Sequence, residues 1–71
     1  MKEGVLIYDP CLERMDIRFG LVSYRGGLYC GEALEVWTGS EWEPTRIEQS
    51  EKGWFLVGIS TRNLSGLRVR I

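Results

Sequence analysis

The stretch Ala33-Leu34-Glu35-Val36-Trp37-Thr38-Gly39-Ser40-Glu41-Trp42-Glu43-Pro44-Thr45-Arg46-Ile47 decides the fold. Its two arms favour Val, Ile, Trp and Thr, side chains that fit a pleated, half-buried surface. Between the arms, Gly39-Ser40 is a Gly-X pair suited to a type II′ two-residue hairpin turn. This predicts one strand over Ala33 to Thr38 and another over Glu41 to Gln49. The turn also sets the register: Thr38 flanks Glu41, Trp37 faces Trp42, Val36 faces Glu43 and Leu34 faces Thr45. Residues directly opposite each other share a face. Leu34, Val36, Thr45 and Ile47 are therefore assigned to one face, and Glu35, Trp37, Trp42, Pro44 and Arg46 to the other. Pro44 has no N–H to donate, which places it at an edge or a bulge.

Toward the C-terminus, Glu51-Lys52-Gly53 resembles a three-residue turn with glycine in the left-handed position. The next strand is Trp54 to Ile59. In that register Phe55, Val57 and Ile59 point to the core, while Trp54 and Leu56 point outward. Ser60 to Gly66 is polar and short, which predicts a turn or a single 3₁₀ turn. Leu67-Arg68-Val69-Arg70-Ile71 alternates strictly, a strand with Leu67, Val69 and Ile71 inward and both arginines outward.

Toward the N-terminus, Gly4 to Tyr8 is a continuous apolar run. Asp9-Pro10 after it favours a turn, because proline fixes φ and aspartate bonds its own backbone. Met15-Asp16-Ile17-Arg18-Phe19 alternates as a half-buried strand does, which closes an N-terminal hairpin. Gly20 to Gly31 is the least regular part. Tyr24-Arg25-Gly26-Gly27 reads as a loop tip, with Leu28, Tyr29 and Cys30 dipping back to the core.

The chain is thus read as all-β: one domain over residues 1–71, a small, strongly bent barrel of five to six short antiparallel strands. An SH3-like barrel is the first choice and an OB-like barrel the alternative. Closure also hides strand edges, which a small all-β chain needs.

Composition narrows the chemistry. The chain has 71 residues, 44% hydrophobic and 27% charged, no histidine and a net charge of −1. A domain this short buries only about 60% of the surface its unfolded chain exposes, so an enclosed active site would be costly. Without histidine there is no imidazole base, no Ser–His or Cys–His pair and no histidine metal ligand. The expectation is therefore no enzyme, no cofactor and no metal. Cys11 and Cys30 are read as reduced, small buried thiols. The N-terminus lacks the apolar run of a secretion signal, and no stretch approaches the length of a membrane helix, so the expectation is a cytoplasmic protein away from membranes.

Several segments carry a family likeness: Gly4-Val5-Leu6-Ile7-Tyr8-Asp9, Asp16-Ile17-Arg18-Phe19, Cys30-Gly31-Glu32, Trp42 to Glu48, Gly53 to Gly58 and Gly66 to Ile71. Together they resemble a family of small uncharacterised proteins of Gram-positive bacteria, often carried on conjugative or phage-like elements. The resemblance spans nearly the whole chain. It implies a free-standing bacterial domain and transfers no activity, because that family has no established function.

Two surfaces stand out. In the registers above, Trp37, Trp42 and Trp54 all face away from the Leu34/Val36/Ile47 layer. They form either an aromatic binding surface or a second half of the core. With the loop residues Tyr24 and Arg25 they are the candidate contacts for a protein partner, or for a second copy in a homodimer. The other feature is charge. Residues 31–51 carry Glu32, Glu35, Glu41, Glu43, Glu48 and Glu51 against Arg46 alone, whereas 52–71 carry Lys52, Arg62, Arg68 and Arg70 and no acid. These charges pair across strands, or else Arg62, Arg68 and Arg70 form a nucleic-acid contact. Glu41 and Glu43 share a strand face but need a cleft to act as a catalytic pair. The favoured reading is a non-catalytic protein-interaction module, which the resemblance extends to an accessory of a mobile element, with nucleic-acid binding as the alternative.

Overall fold

The computed structural model describes residues 1–61 and 63–71. Six antiparallel strands follow one another: β1 (Glu3–Asp9), β2 (Arg14–Arg18), β3 (Ala33–Trp37), β4 (Trp42–Ser50), β5 (Gly53–Leu56) and β6 (Arg68–Arg70). They form one sheet in the order β2-β1-β6-β3-β4-β5, with no helix among the described residues. The last strand is central: β6 pairs with β1 on one side and with β3 on the other.

One layer of sheet must supply its own core, so it curls. Leu6, Met15, Ile17, Leu34, Val36, Ile47, Leu56 and Val69, drawn from all six strands, meet in a single buried cluster. Leu28 and Leu64 from the connecting segments complete it. The expected strong bend is present. The expected closure is not: the sheet stays open, with β2 and β5 as its two ends.

The β3–β4 hairpin has the expected register, from Trp37 opposite Trp42 to Ala33 opposite Arg46. Gly39 takes a φ of 102°, which the tight turn requires. Pro44 causes no bulge. It lies beyond the reach of β5, which pairs only with Ile47 to Ser50, so the missing N–H faces an unpaired edge.

The β4–β5 hairpin departs from expectation. Gly53 has its left-handed φ of 116°, but it pairs with Ser50 instead of lengthening the turn. The loop is therefore Glu51-Lys52 alone, steadied by the Lys52 N–H donating to Ser50 Oγ at 3.2 Å. One residue fewer in a turn shifts the register by one, and a period of two then exchanges the faces. Leu56 is buried opposite Ile47 and Trp54 packs against the core, while Phe55 and Val57 are exposed. Ile59 does pack against the core, as do Leu67 and Ile71.

In the β1–β2 connection, Asp9 Oδ1 accepts from the Cys11 and Leu12 N–H groups, the turn that Asp9-Pro10 predicts. The segment after β2 is not a free loop tip. Tyr24 bridges to Arg18, and the Arg25 and Leu28 N–H groups donate to Ile17 and Met15 O at 2.8 Å. Tyr24 to Leu28 thereby caps the outer edge of β2. Leu28 enters the core as expected, but Tyr29 and Cys30 are exposed. Cys11 is exposed too, so the expectation of buried thiols is overturned for both cysteines. Neither sits opposite an inward position, because both lie in turns. The described part of 60–66 forms the turn of the two expected alternatives, with the Leu67 N–H donating to Leu64 O at 3.2 Å and Asn63 Oδ1 accepting from the Ser65 N–H.

Candidate functional site

The outer, convex face of the sheet is built by alternation. Leu6, Ile17, Val36 and Val69 point inward, so their strand neighbours point out. Arg18 pairs with Val5, and Val5 with Arg68. Val36 pairs with Val69, which sets Trp37 beside Arg68, and Trp37 pairs with Trp42. The bridge from Arg18 to Tyr24 extends the line at the other end. Tyr24, Arg18, Val5, Arg68, Trp37 and Trp42 therefore form one transverse row. Five strand spacings of about 4.8 Å make that row roughly 24 Å long. A second row beside it reads Glu3, Arg70, Glu35, Pro44.

The rings and the arginines in these rows touch. Trp37 and Trp42 meet edge to face with centroids 5.4 Å apart. Arg70 lies over the Trp42 ring at 4.3 Å, and Arg68 stands over Trp37 and Trp42 at 5.6 and 5.5 Å. Each such contact contributes about 0.5–1 kcal/mol where it is exposed. Carboxylates hold both guanidinium groups from the opposite side: Arg70 Nε is 2.5 Å from Glu35 Oε1, and Arg68 Nη2 is 3.0 Å from Glu3 Oε2. Cross-strand pairing of opposite charges, one of the two readings of the charge pattern, is thus realised here.

The candidate residues are partly gathered and partly dispersed. Trp37, Trp42, Arg68 and Tyr24 share the first row, and Arg70 adjoins it. Trp54 does not belong, because the β4–β5 register turns it toward the core. Arg25 is engaged in an ion pair with Glu32 next to the capped edge. Arg62 lies outside the described residues. Glu41 and Glu43 do not share a cleft: Glu43 lines one of about 400 Å³ with Val36, Ile59 and Leu67, and Glu41 does not. Among the described residues no group of three or more Cys, Asp or Glu is placed to hold a metal.

Sequence reasoning missed Asp16, Arg18 and Val5. Asp16 is buried, and its Oδ1 accepts from the N–H groups of Ile17, Gly26 and Gly27 at 2.8–2.9 Å. The signal for this was the adjacent pair Gly26-Gly27. Both glycines have positive φ, a conformation that lets successive N–H groups converge on one anion.

A model of a domain of unknown function, DUF5348, matches residues 4–71. The chain belongs to this family. A crystal structure of a protein from Ruminococcus gnavus is similar to it, at 49% identity and a TM-score of 0.91. That match covers 97% of this chain and 99% of the other, so the curled six-stranded sheet is a fold the two share. No curated protein matches the chain. The family carries no assigned role, and the function of this member is likewise unknown. No described helix is long and apolar enough to cross a membrane.

Proposed function

We propose that the protein is a non-catalytic protein-interaction module that binds its partner through the outer face of the sheet. The transverse row Tyr24, Arg18, Val5, Arg68, Trp37, Trp42 carries this reading. Tyr, Trp and Arg are the residues that dominate binding energy at protein interfaces. Here strands hold them in place, so little side-chain freedom is lost on binding. The non-catalytic part rests on the site chemistry. Among the described residues, the cleft beside Glu43 adds hydroxyls from Thr38, Ser60 and Thr61 but no amine, thiol or imidazole. The relative from Ruminococcus gnavus supports a bacterial setting. The proposal extends this to a cytoplasmic accessory protein of a mobile element.

A pull-down from the native bacterium, comparing wild type with a Trp37→Ser/Trp42→Ser variant of retained fold, tests the reading. Specific partners lost with the double substitution support it. An identical partner list removes it.

One observation favours nucleic acid as a second reading: Arg68 and Arg70 lie against aromatic rings. Their pairing with Glu3 and Glu35 weighs against it, since neutralised arginines release few counterions. A gel shift that weakens steeply with salt would favour this second reading over the first.

A further inference from the structure

We propose that the groove between β1 and the turn 19–23 takes an apolar side chain of a protein partner, and that a carboxylate on the same partner segment meets Arg18. The proposal rests on the interaction reading above and names the partner chemistry at one end of the same face.

The groove measures about 490 Å³, with Val5, Ile7, Phe19 and Leu21 as its apolar walls. That volume is enough for a large side chain. The turn that forms one wall is pinned, with the Phe19 N–H donating to Ser23 O at 2.7 Å. It nevertheless presents Leu21 at 85% and Val22 at 90% exposure, the two most exposed large apolar side chains of the described residues. Exposed aliphatic side chains on an ordered turn beside a recess mark a place where a partner removes them from water.

Charge selects the occupant. Arg18 is the charged residue that lines the groove. Its Nε donates to Gly20 O at 2.8 Å and its Nη2 to Leu21 O at 3.5 Å, which fixes the guanidinium and leaves Nη1 free. No carboxylate lies within ion-pair distance of it among the described residues. The two nearest acids along its strands are engaged elsewhere: Asp16 with the loop N–H groups, and Glu3 with Arg68. Lys2, whose ammonium lies over Phe19 at 4.7 Å, adds a second positive charge at the rim. An apolar recess under an oriented, unneutralised guanidinium complements an apolar side chain next to a carboxylate. A recess also suits an inserted side chain better than the flat surface of a membrane.

The probe is N-acetyl-leucine, which joins an isobutyl group to a carboxylate, titrated into the ¹⁵N-labelled full chain. Its neutral amide is the control. The expected result is a millimolar dissociation constant, with amide shifts at Gly4, Val5, Phe19, Gly20 and Leu21. Arg18→Gln should weaken binding about tenfold, the loss of one charge-assisted contact. Equal binding of the neutral amide, shifts centred elsewhere, or no shifts at all would each overturn the proposal. Co-sedimentation with phosphatidylglycerol vesicles without N-acetyl-leucine binding would overturn it in favour of a lipid surface. The probe reads the groove alone, so a null titration leaves partner capture through Trp37 and Trp42 to stand or fall separately.

Discussion

Asp16 ties the irregular segment between β2 and β3 to the sheet, because one buried oxygen accepts from the Gly26 and Gly27 N–H groups. Asp16→Ala should leave those donors unsatisfied and lower the unfolding free energy by about 2–3 kcal/mol. Asp16→Asn keeps an acceptor oxygen and should lose roughly half as much. Urea titration measures both, and a loss under about 0.5 kcal/mol for Asp16→Ala would show that the carboxylate does not organise the segment. Gly4 matters for a different reason. A Cβ there would lie 2.6 Å from Arg18 O and 2.6 Å from Ile17 Cγ2. Backbone cannot move aside cheaply, so Gly4→Ala should cost about 1–3 kcal/mol, as overpacking does. Gly39→Ala meets nothing within 4 Å and strains only φ. Comparing the two variants separates crowding from backbone conformation.

Among the elements, β5 is the one whose facing the turn decides. Leu56 is 2% exposed and Phe55 41%. Leu56→Ala should therefore cost about 2–5 kcal/mol, as truncation of a buried leucine does. Phe55→Ala should cost under about 1 kcal/mol. Reversed values would restore the longer turn and the opposite facing. The two ends of the sheet also differ. The β2 end is capped by the chain's own Tyr24 to Leu28, whereas β5 ends the strand order. Four residues make β5 a short edge, one of the ways an open sheet limits unwanted pairing.

For the whole molecule, the single core predicts one cooperative transition, since no part has a core of its own. Trp54 lies against the core, while Trp37 and Trp42 lie on the outer face. Tryptophan fluorescence, which samples both sites, and far-ultraviolet circular dichroism should therefore give the same unfolding midpoint for the unaltered chain. Separate midpoints would mean that the curled sheet unfolds in parts. The outer face should behave differently. Arg68→Ala and Arg70→Ala remove partly exposed ion pairs and ring contacts, and each should cost about 1–2 kcal/mol. A modest loss of stability with altered partner binding is the pattern an interaction surface produces.

Features controlled by local geometry can be read directly from neighbouring residues. Gly39-Ser40 is a turn that permits one register, so the facing of Leu34, Val36, Trp37, Trp42 and Thr45 was legible from it. The strict alternation of Leu67 to Ile71 likewise placed Val69 inside and Arg68 and Arg70 outside. Features that depend on distant residues emerge only in the folded sheet. Glu51-Lys52-Gly53 fits turns of two lengths, and the burial of Leu56 against the common core accompanies the shorter one. The outer-face row needed the strand order: Val5 and Arg68 are remote in the chain, and only the insertion of β6 between β1 and β3 makes them neighbours. Trp37 and Trp42 could be read as a pair because one turn joins them. Their meeting with Arg68 and Arg70 could not, because long-range pairing is selected by the packing of the whole core and leaves no local mark.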